Sequence, residues 1–213
     1  DRYVADGILT AGQAEFLRRA VRERQNILIA GGTSTGKTTL ANALLAEIAA
    51  TGDRVLVLED TIELQCAARD HVPLRTRAGV VTMTELVRAT MRLRPDRVIV
   101  GEVRGGEALD LIKVWGTGHP GGIATIHAGS ALGALLRLEQ LILEVAVNPP
   151  RALIAEAVNV VIHIAGRGRK RRVESIARVV GFDGVGYRLA DALETPFPEL
   201  MPVPLAADAA APS

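Results

Sequence analysis

The chain has 213 residues, enough for one well-buried α/β domain with small appendages and crowded for two full domains. Hydrophobic residues make up 48% and aromatics 3%, which predicts an aliphatic core, and no apolar run approaches the ~20 residues of a membrane-spanning helix. A net charge of +1 excludes a global pull towards nucleic acid or anionic lipid, and a single cysteine, Cys66, excludes an internal disulfide. Cys66 reads as a small buried apolar residue in a reducing, cytoplasmic compartment.

In chain order, Thr10 can cap a helix from Ala11 to about Arg24, with Phe16, Leu17, Ala20 and Val21 on its apolar side. Asn26 to Ala30 reads as a buried strand. Gly31 to Thr39 follows as GGTSTGKTT, and Lys37 to Ala50 has helical spacing. Arg54 to Leu58 is a second buried strand, ending in Glu59 and Asp60. Gln65 to Val81 lacks clear period and reads as a loop or short hairpin. Thr82 and Glu85 form a capping box for a helix to about Leu93. Arg97 to Val100 is the third core strand, followed at once by Gly101 and Glu102. A helix from Glu107 to Trp115 precedes a Gly/Pro turn and a fourth strand, Ile123 to His127. Ser130 to Glu144 is amphipathic, with Leu135, Leu138, Leu141 and Ile142 facing a core. Pro149-Pro150 breaks it before a short helix to Glu156. Val158 to Ala165 and Val173 to Phe182 read as an antiparallel meander, extended by Val185 to Leu189. From Asp191 on, prolines and alanines without period predict disorder. The alternation of strands and helices predicts an α/β domain, a mostly parallel sheet with helices on both faces and a small C-terminal antiparallel β extension.

The stretch Gly31-Gly32-Thr33-Ser34-Thr35-Gly36-Lys37-Thr38-Thr39 satisfies GxxxxGK[ST] between a strand and a helix, the context the phosphate-binding loop needs. Its glycines let backbone N–H groups turn inward, and the helix N-terminus adds partial positive charge. Lys37 is expected to reach the β- and γ-phosphates of ATP, Thr38 to hold Mg²⁺, and Thr39 to add an outer contact. Only Lys37, Lys113 and Lys170 are lysine among 25 basic residues, so a lysine in this loop by chance is improbable. Hydrolysis also needs a group that orients water, and Glu102 stands at a strand end where that acid belongs. Glu59, Asp60 or Glu63 is then left to contact Mg²⁺ through water. His127, next along the same sheet edge, can reach a γ-phosphate oxygen or Glu102, whereas His119 lies in a Gly/Pro turn. Arg88 and Arg92 share a helix face, and Arg94, Arg97 and Arg104 lie close by in sequence. This density around the presumed active edge is suited to reaching a phosphate across an interface. The run Arg167 to Arg172 lacks interleaved aromatics and reads as a solvated turn rather than a nucleic-acid site. No Cys/His cluster has zinc spacing.

The ordered set GGTSTGKTT, LEDTIEL and RPDRVIVGEVRGGEALDLIKVWGTGHPGGIATIHA resembles the secretion and conjugation ATPases of type II and type IV systems, conjugal transfer ATPases of the TrbB kind most of all. The resemblance runs from Ala11 to about Ala190. It implies a Walker A motif with Lys37 and Thr38, an Asp box with Glu59, Asp60 and Glu63, an atypical Walker B with Glu102, and a His box with His119 and His127. It further implies a RecA-like domain over residues 11–190 and residues 1–10 as a linker tail from an absent N-terminal domain, while composition marks residues 191–213 as a disordered tail. A homohexamer at the cytoplasmic face of the bacterial inner membrane, with other secretion components as partners, is the implied setting. Thr61 stands where many relatives have proline. Two other readings stay open: a DNA-translocating helicase, and an assembly subunit that binds nucleotide without turnover.

Overall fold

In the computed structural model, which describes residues 2–194, the elements run in this order. They are α1 (Arg2–Ala5), α2 (Ala11–Arg22), β1 (Ile27–Ala30), α3 (Lys37–Ile48), β2 (Val55–Glu59), β3 (His71–Arg75), α4 (Met83–Thr90) and β4 (Arg97–Val103). Then come α5 (Glu107–Gly116), β5 (Ile123–Ile126), α6 (Ala131–Ile142), α7 (Arg151–Ala157), β6 (Val160–Ala165), β7 (Arg172–Phe182) and β8 (Tyr187–Asp191). Local signals start the helices where expected: Thr10 with Gln13 and Thr82 with Glu85 both form complete capping boxes. Ser130 caps α6, whose Leu135, Leu138, Leu141 and Ile142 are buried.

Among the described residues the strands form one sheet in the order β3-β2-β4-β5-β1-β6-β7-β8. Pairing is parallel from β3 to β6 and antiparallel through β7 and β8. Strand β6 therefore closes the parallel sheet and opens the meander. Alternation along β1 divides the core. Leu28 and Ala30 join the cluster under α4 to α7, while Ile27 and Ile29 join the one under α2 and α3.

The structure differs from several of these expectations. The segment read as loop or hairpin contains β3, a parallel edge strand beside β2, and only Arg77 and Val81 form an antiparallel bridge. Pro73 lies in it, which an edge position tolerates because one side of the strand needs no ladder donor. The third core strand does not stop at Val100: it continues to Val103 with a register shift against β5 between Val100 and Val103. Helix α4 ends at Thr90, so Arg92 lies in the following turn rather than on a helix face shared with Arg88. Residues 2–5, expected as linker, form α1, and Tyr3, Val4 and Ile8 pack against the α2/α3 core. Cys66 is half-buried rather than buried, and burial raises its thiol above the ordinary range. The expected disordered tail lies outside the described residues from position 195 on; Asp191 ends β8 and Ala192 is buried.

Candidate active site

The carboxyl ends of β1, β2, β4 and β5 share one edge of the sheet, the edge at which open α/β sheets bind ligands. A cleft of about 640 Å³ opens there. It is lined by Lys37, Thr38 and Thr39 of the phosphate loop, Glu59 at the end of β2 with Asp60 and Glu63 beyond it, Glu102 of β4 with Arg104 just past that strand, and His127 after β5. Residues far apart in sequence thus converge on one volume.

Within the loop, Ser34 takes φ 63°, the left-handed region that costs a non-glycine residue about 1–2 kcal/mol. Thr35 is buried and its hydroxyl donates to the Gly32 carbonyl at 2.9 Å. Lys37 Nζ donates to the carbonyls of Gly31 and Gly32, both at 3.1 Å. Burial pushes this ammonium below the ordinary lysine range; Glu102 and Glu63 pull it up, and Arg104 adds to the lowering.

The three acids that are candidates for a metal contact divide into three roles. Glu63 Oε2 accepts from the Thr38 hydroxyl at 2.9 Å, which brings two hard oxygen donors together at the start of α3. Asp60 accepts from the Thr76 hydroxyl at 2.6 Å and lies 3.8 Å from the Arg104 guanidinium. Glu59 is buried and turned inward, its Oε1 accepting from the amides of Glu63 at 2.9 Å and Leu64 at 2.7 Å. It braces the turn that presents Glu63. Asn42, unremarked in the sequence, closes the brace: its Nδ2 donates to the Glu63 carbonyl and its Oδ1 accepts from the Gln65 amide. Among the described residues no three His, Cys, Asp or Glu side chains form a metal cage. Thr38 and Glu63 nevertheless suit Mg²⁺, which is commonly held by few protein oxygens together with substrate phosphates.

Gly101 explains the unusual acid motif. A Cβ there would stand 3.2 Å from Glu59 Cγ, so glycine leaves room for the brace. The Thr125 hydroxyl donates to the Gly101 carbonyl at 2.6 Å. The extra residue in β4 between its pairings to Ala124 and Ile126 is a bulge, a device that re-aims a side chain beside a site. Glu102 then meets the Arg104 guanidinium, whose Nε donates to it at 2.5 Å. That hydrogen bond and charge raise Arg104 above its ordinary range.

The other arginines lie elsewhere. Arg88 pairs with Asp110 of α5 at 3.0 Å, and neither Arg88 nor Arg92 lines the cleft. Arg97 is 1% exposed at the amino end of β4, away from the active edge, and pairs with Asp53 at 2.5 Å. Its two terminal nitrogens donate to Gly121 O and Val21 O. His119 also stands apart: its Nδ1 lies 2.9 Å from the Pro95 carbonyl, bracing a turn. Arg171, assigned from sequence to a solvated turn, lines the cleft instead. No local signal distinguishes it from its basic neighbours.

Residues 3–175 match the family described as "Type II/IV secretion system protein". The chain belongs to this family. It is 50% identical over 190 residues to "Conjugal transfer protein TrbB" of Rhizobium radiobacter, covering 88% of this chain and 58% of that protein. It is 40% identical over 178 residues to "Type IV secretion system protein PtlH" of Bordetella pertussis, covering 76% and 52%. This type II/IV secretion chain thus spans a little over half the length of these relatives. The VirB11 ATPase of the Brucella suis type IV secretion system superposes with a TM-score of 0.70 at 33% identity, covering 80% of this chain and 58% of that one. The pilus retraction motor PilT, at TM-score 0.57 and 21% identity over 83% of this chain and 48% of that one, shares the fold. The secretion-family chain has the RecA-like α/β architecture that its motifs imply, with the antiparallel extension added by β7 and β8.

The brace carries a prediction of its own. Glu59→Ala removes the acceptor of two amides, and chemical denaturation is expected to show a loss of about 2–3 kcal/mol. A loss below about 0.5 kcal/mol, within the usual range for plain surface changes, would show that Glu59 holds nothing.

Proposed function

We propose that the chain is the ATP-hydrolysing domain of a conjugative type IV secretion ATPase, acting as a homohexamer on the cytoplasmic side of the inner membrane. The observation that carries this reading is the convergence on one cleft of Lys37, Thr38, Glu63, Glu102 and His127, drawn from the phosphate loop after β1 and the ends of three further strands. The family supports the setting: the relatives are named as conjugal transfer and type IV secretion proteins. No helix of the described residues is long and apolar enough to cross a membrane.

In this reading Lys37 leaves the Gly31 and Gly32 carbonyls for the β- and γ-phosphates. The amides at the start of α3 face the same anion. Thr38 and Glu63 hold Mg²⁺, which neutralises charge on the phosphates when bound. Glu102 orients the attacking water, Arg104 frees it by turning to the phosphoryl oxygens, and His127 contacts the γ-phosphate from β5. The Glu102–Arg104 pair keeps the water-orienting carboxylate engaged until nucleotide arrives.

The test is phosphate release by the full chain with Mg²⁺-ATP. Wild type is expected to turn over and Lys37→Ala to lose turnover and most nucleotide affinity. Equal turnover in both would end the assignment. Mass measurement with and without an ATP analogue tests assembly: a strict monomer in both states opposes the hexamer. Salt-dependent stimulation by single-stranded DNA would favour a translocating helicase, which the net charge of +1 does not.

Lys37 also sets a pH dependence. Because its folded-state pKa is lowered, the free lysine becomes neutral at a pH below the ordinary lysine value. Nucleotide affinity is expected to fall as pH rises through that lowered value, with proton uptake on binding in the same window. Titration calorimetry in buffers of different ionisation heat reads that uptake, and its absence on the alkaline side opposes a Lys37–phosphate contact.

A further inference from the structure

The basic turn between β6 and β7 contains one side chain unlike the rest. Arg167, Arg169, Lys170 and Arg172 are exposed, whereas Arg171 is half-buried and reaches the cleft. Its guanidinium lies over Gly36, the residue that opens α3: a Cβ on Gly36 would stand 2.8 Å from Arg171 Nε and 2.9 Å from Cζ. Gly36 has φ 95°, so glycine meets both the left-handed backbone and the close approach of the arginine. The backbone around Arg171 is anchored. Its amide donates to Gly168 O at 3.2 Å, and Val173 N donates to Ile8 O at 2.9 Å. Arg171 Nε is nevertheless buried with no hydrogen-bond partner.

A buried guanidinium N–H without an acceptor is uncommon in a folded protein, and here it lies beside a loop built for an anion. We infer that Arg171 binds the polyphosphate of a nucleoside di- or triphosphate held by the phosphate loop of its own chain. The inference rests on the nucleotide reading given above and adds a residue to it. Guanidinium suits the task because its planar fork pairs with phosphate oxygens and stays charged at any working pH.

Sheet order decides which phosphates it serves. Glu102 and Arg104 come from β4, which is separated from β1 by β5, while Arg171 approaches from β6 and β7 on the other side of β1. The phosphate loop springs from β1, so the two arginines flank the nucleotide from opposite sides. Arg104 stands with the water-orienting acid, on the side of the transferred phosphoryl group. Arg171 stands with the phosphates that ADP and ATP have in common. It is therefore a binding residue, with its effect on affinity rather than on the chemical step.

The experiment compares the full-length wild type with Arg171→Ala and Arg171→Lys for binding of ADP, a non-hydrolysable ATP analogue and inorganic pyrophosphate, together with kcat and the thermal midpoint without ligand. Arg171→Ala is expected to weaken all three ligands by roughly 10- to 100-fold, the range of a charge-assisted hydrogen bond. Saturating kcat stays within a few-fold, and Arg171→Lys recovers part of the affinity. Unchanged affinity in Arg171→Ala, with wild type binding normally, overturns the inference and leaves the nucleotide reading intact. So does a loss confined to ADP and the analogue, which places the contact on the nucleoside. A lowered ligand-free midpoint, with Arg171→Lys binding as weakly as Arg171→Ala, assigns Arg171 to packing over Gly36 and overturns it as well. Wild type that binds none of the three overturns the nucleotide reading and this inference together.

Discussion

Glu102→Gln is expected to abolish ATP turnover while the protein still binds ATP. The substitution keeps the size of the side chain and one acceptor oxygen but removes the charge that orients and polarises water, a contribution of about 10²–10⁴-fold in rate. The bulged strand of β4 aims residue 102 at the cleft through backbone pairing, so the amide should take the same position as the acid. Binding should survive because the phosphate loop, Lys37 and Thr38 are untouched. Loss of the ion pair with Arg104 frees a cation beside the phosphates and, if anything, tightens ATP. Single-turnover phosphate release and equilibrium binding of labelled ATP separate the two effects. Unchanged turnover in purified Glu102→Gln would sink the assignment of this residue. Loss of binding and turnover together would instead make Glu102 part of the metal or nucleotide grip.

The largest effect on stability is expected at the opposite edge of the sheet. Arg97→Ala takes the nearest charge from Asp53, which keeps only the Thr51 hydroxyl and Arg24 at 3.8 Å, and strips donors from Gly121 O and Val21 O. Each buried carbonyl left without its donor costs about 1–3 kcal/mol, and the two together are enough to threaten a domain whose total stability is about 5–15 kcal/mol. Burial by itself would raise the Asp53 carboxyl, but hydrogen bonds from Arg97 and Thr51 and the charges of Arg97 and Arg24 hold it below the ordinary carboxylate range. The sign for pH follows from that depression. The stabilisation is fully present above the unfolded carboxylate value of about 4 and is lost as pH falls through the lower folded value. Urea denaturation at neutral pH measures the first effect, and the same titration in acid measures the second. A loss under about 1 kcal/mol in Arg97→Ala would mean that the pair is not needed.

The two arginines at positions 97 and 171 show how far residue type and spacing reach. Arg97 sits a few residues before Glu102, and proximity in sequence alone puts it near the active edge. A strand seven residues long separates its two ends, so Arg97 instead ties the amino edge of the sheet together. Arg171 sits in a run of charge that reads as solvated, and only the packing of the β6–β7 turn on Gly36 sets it apart. Arg88 and Arg92 likewise share spacing on paper, but α4 ends between them. Side-chain identity gives the chemistry a residue can perform. Position decides whether it performs it.

The phosphate loop, the capping boxes at Thr10 and Thr82 and strands β1, β2 and β5 are legible directly, because each rests on local rules: hydrogen bonds within a few residues, and apolar runs long enough to need burial on both faces. Strand β3 was not, since Pro73 argues against a strand until its position at a sheet edge is known. The bulge at Gly101 and Glu102 and the closing contact of Asn42 depend on pairings between segments more than twenty residues apart, and the inward turn of Glu59, whose amide partners are Glu63 and Leu64, depends on the room left by Gly101 on the neighbouring strand. The order of residues by itself determined the ligand class the loop can take and the family to which the chain belongs. Only the tertiary structure decided which acids meet Thr38, which brace the loop and which arginines face the cleft, because those roles are set by distances that sequence separation does not encode.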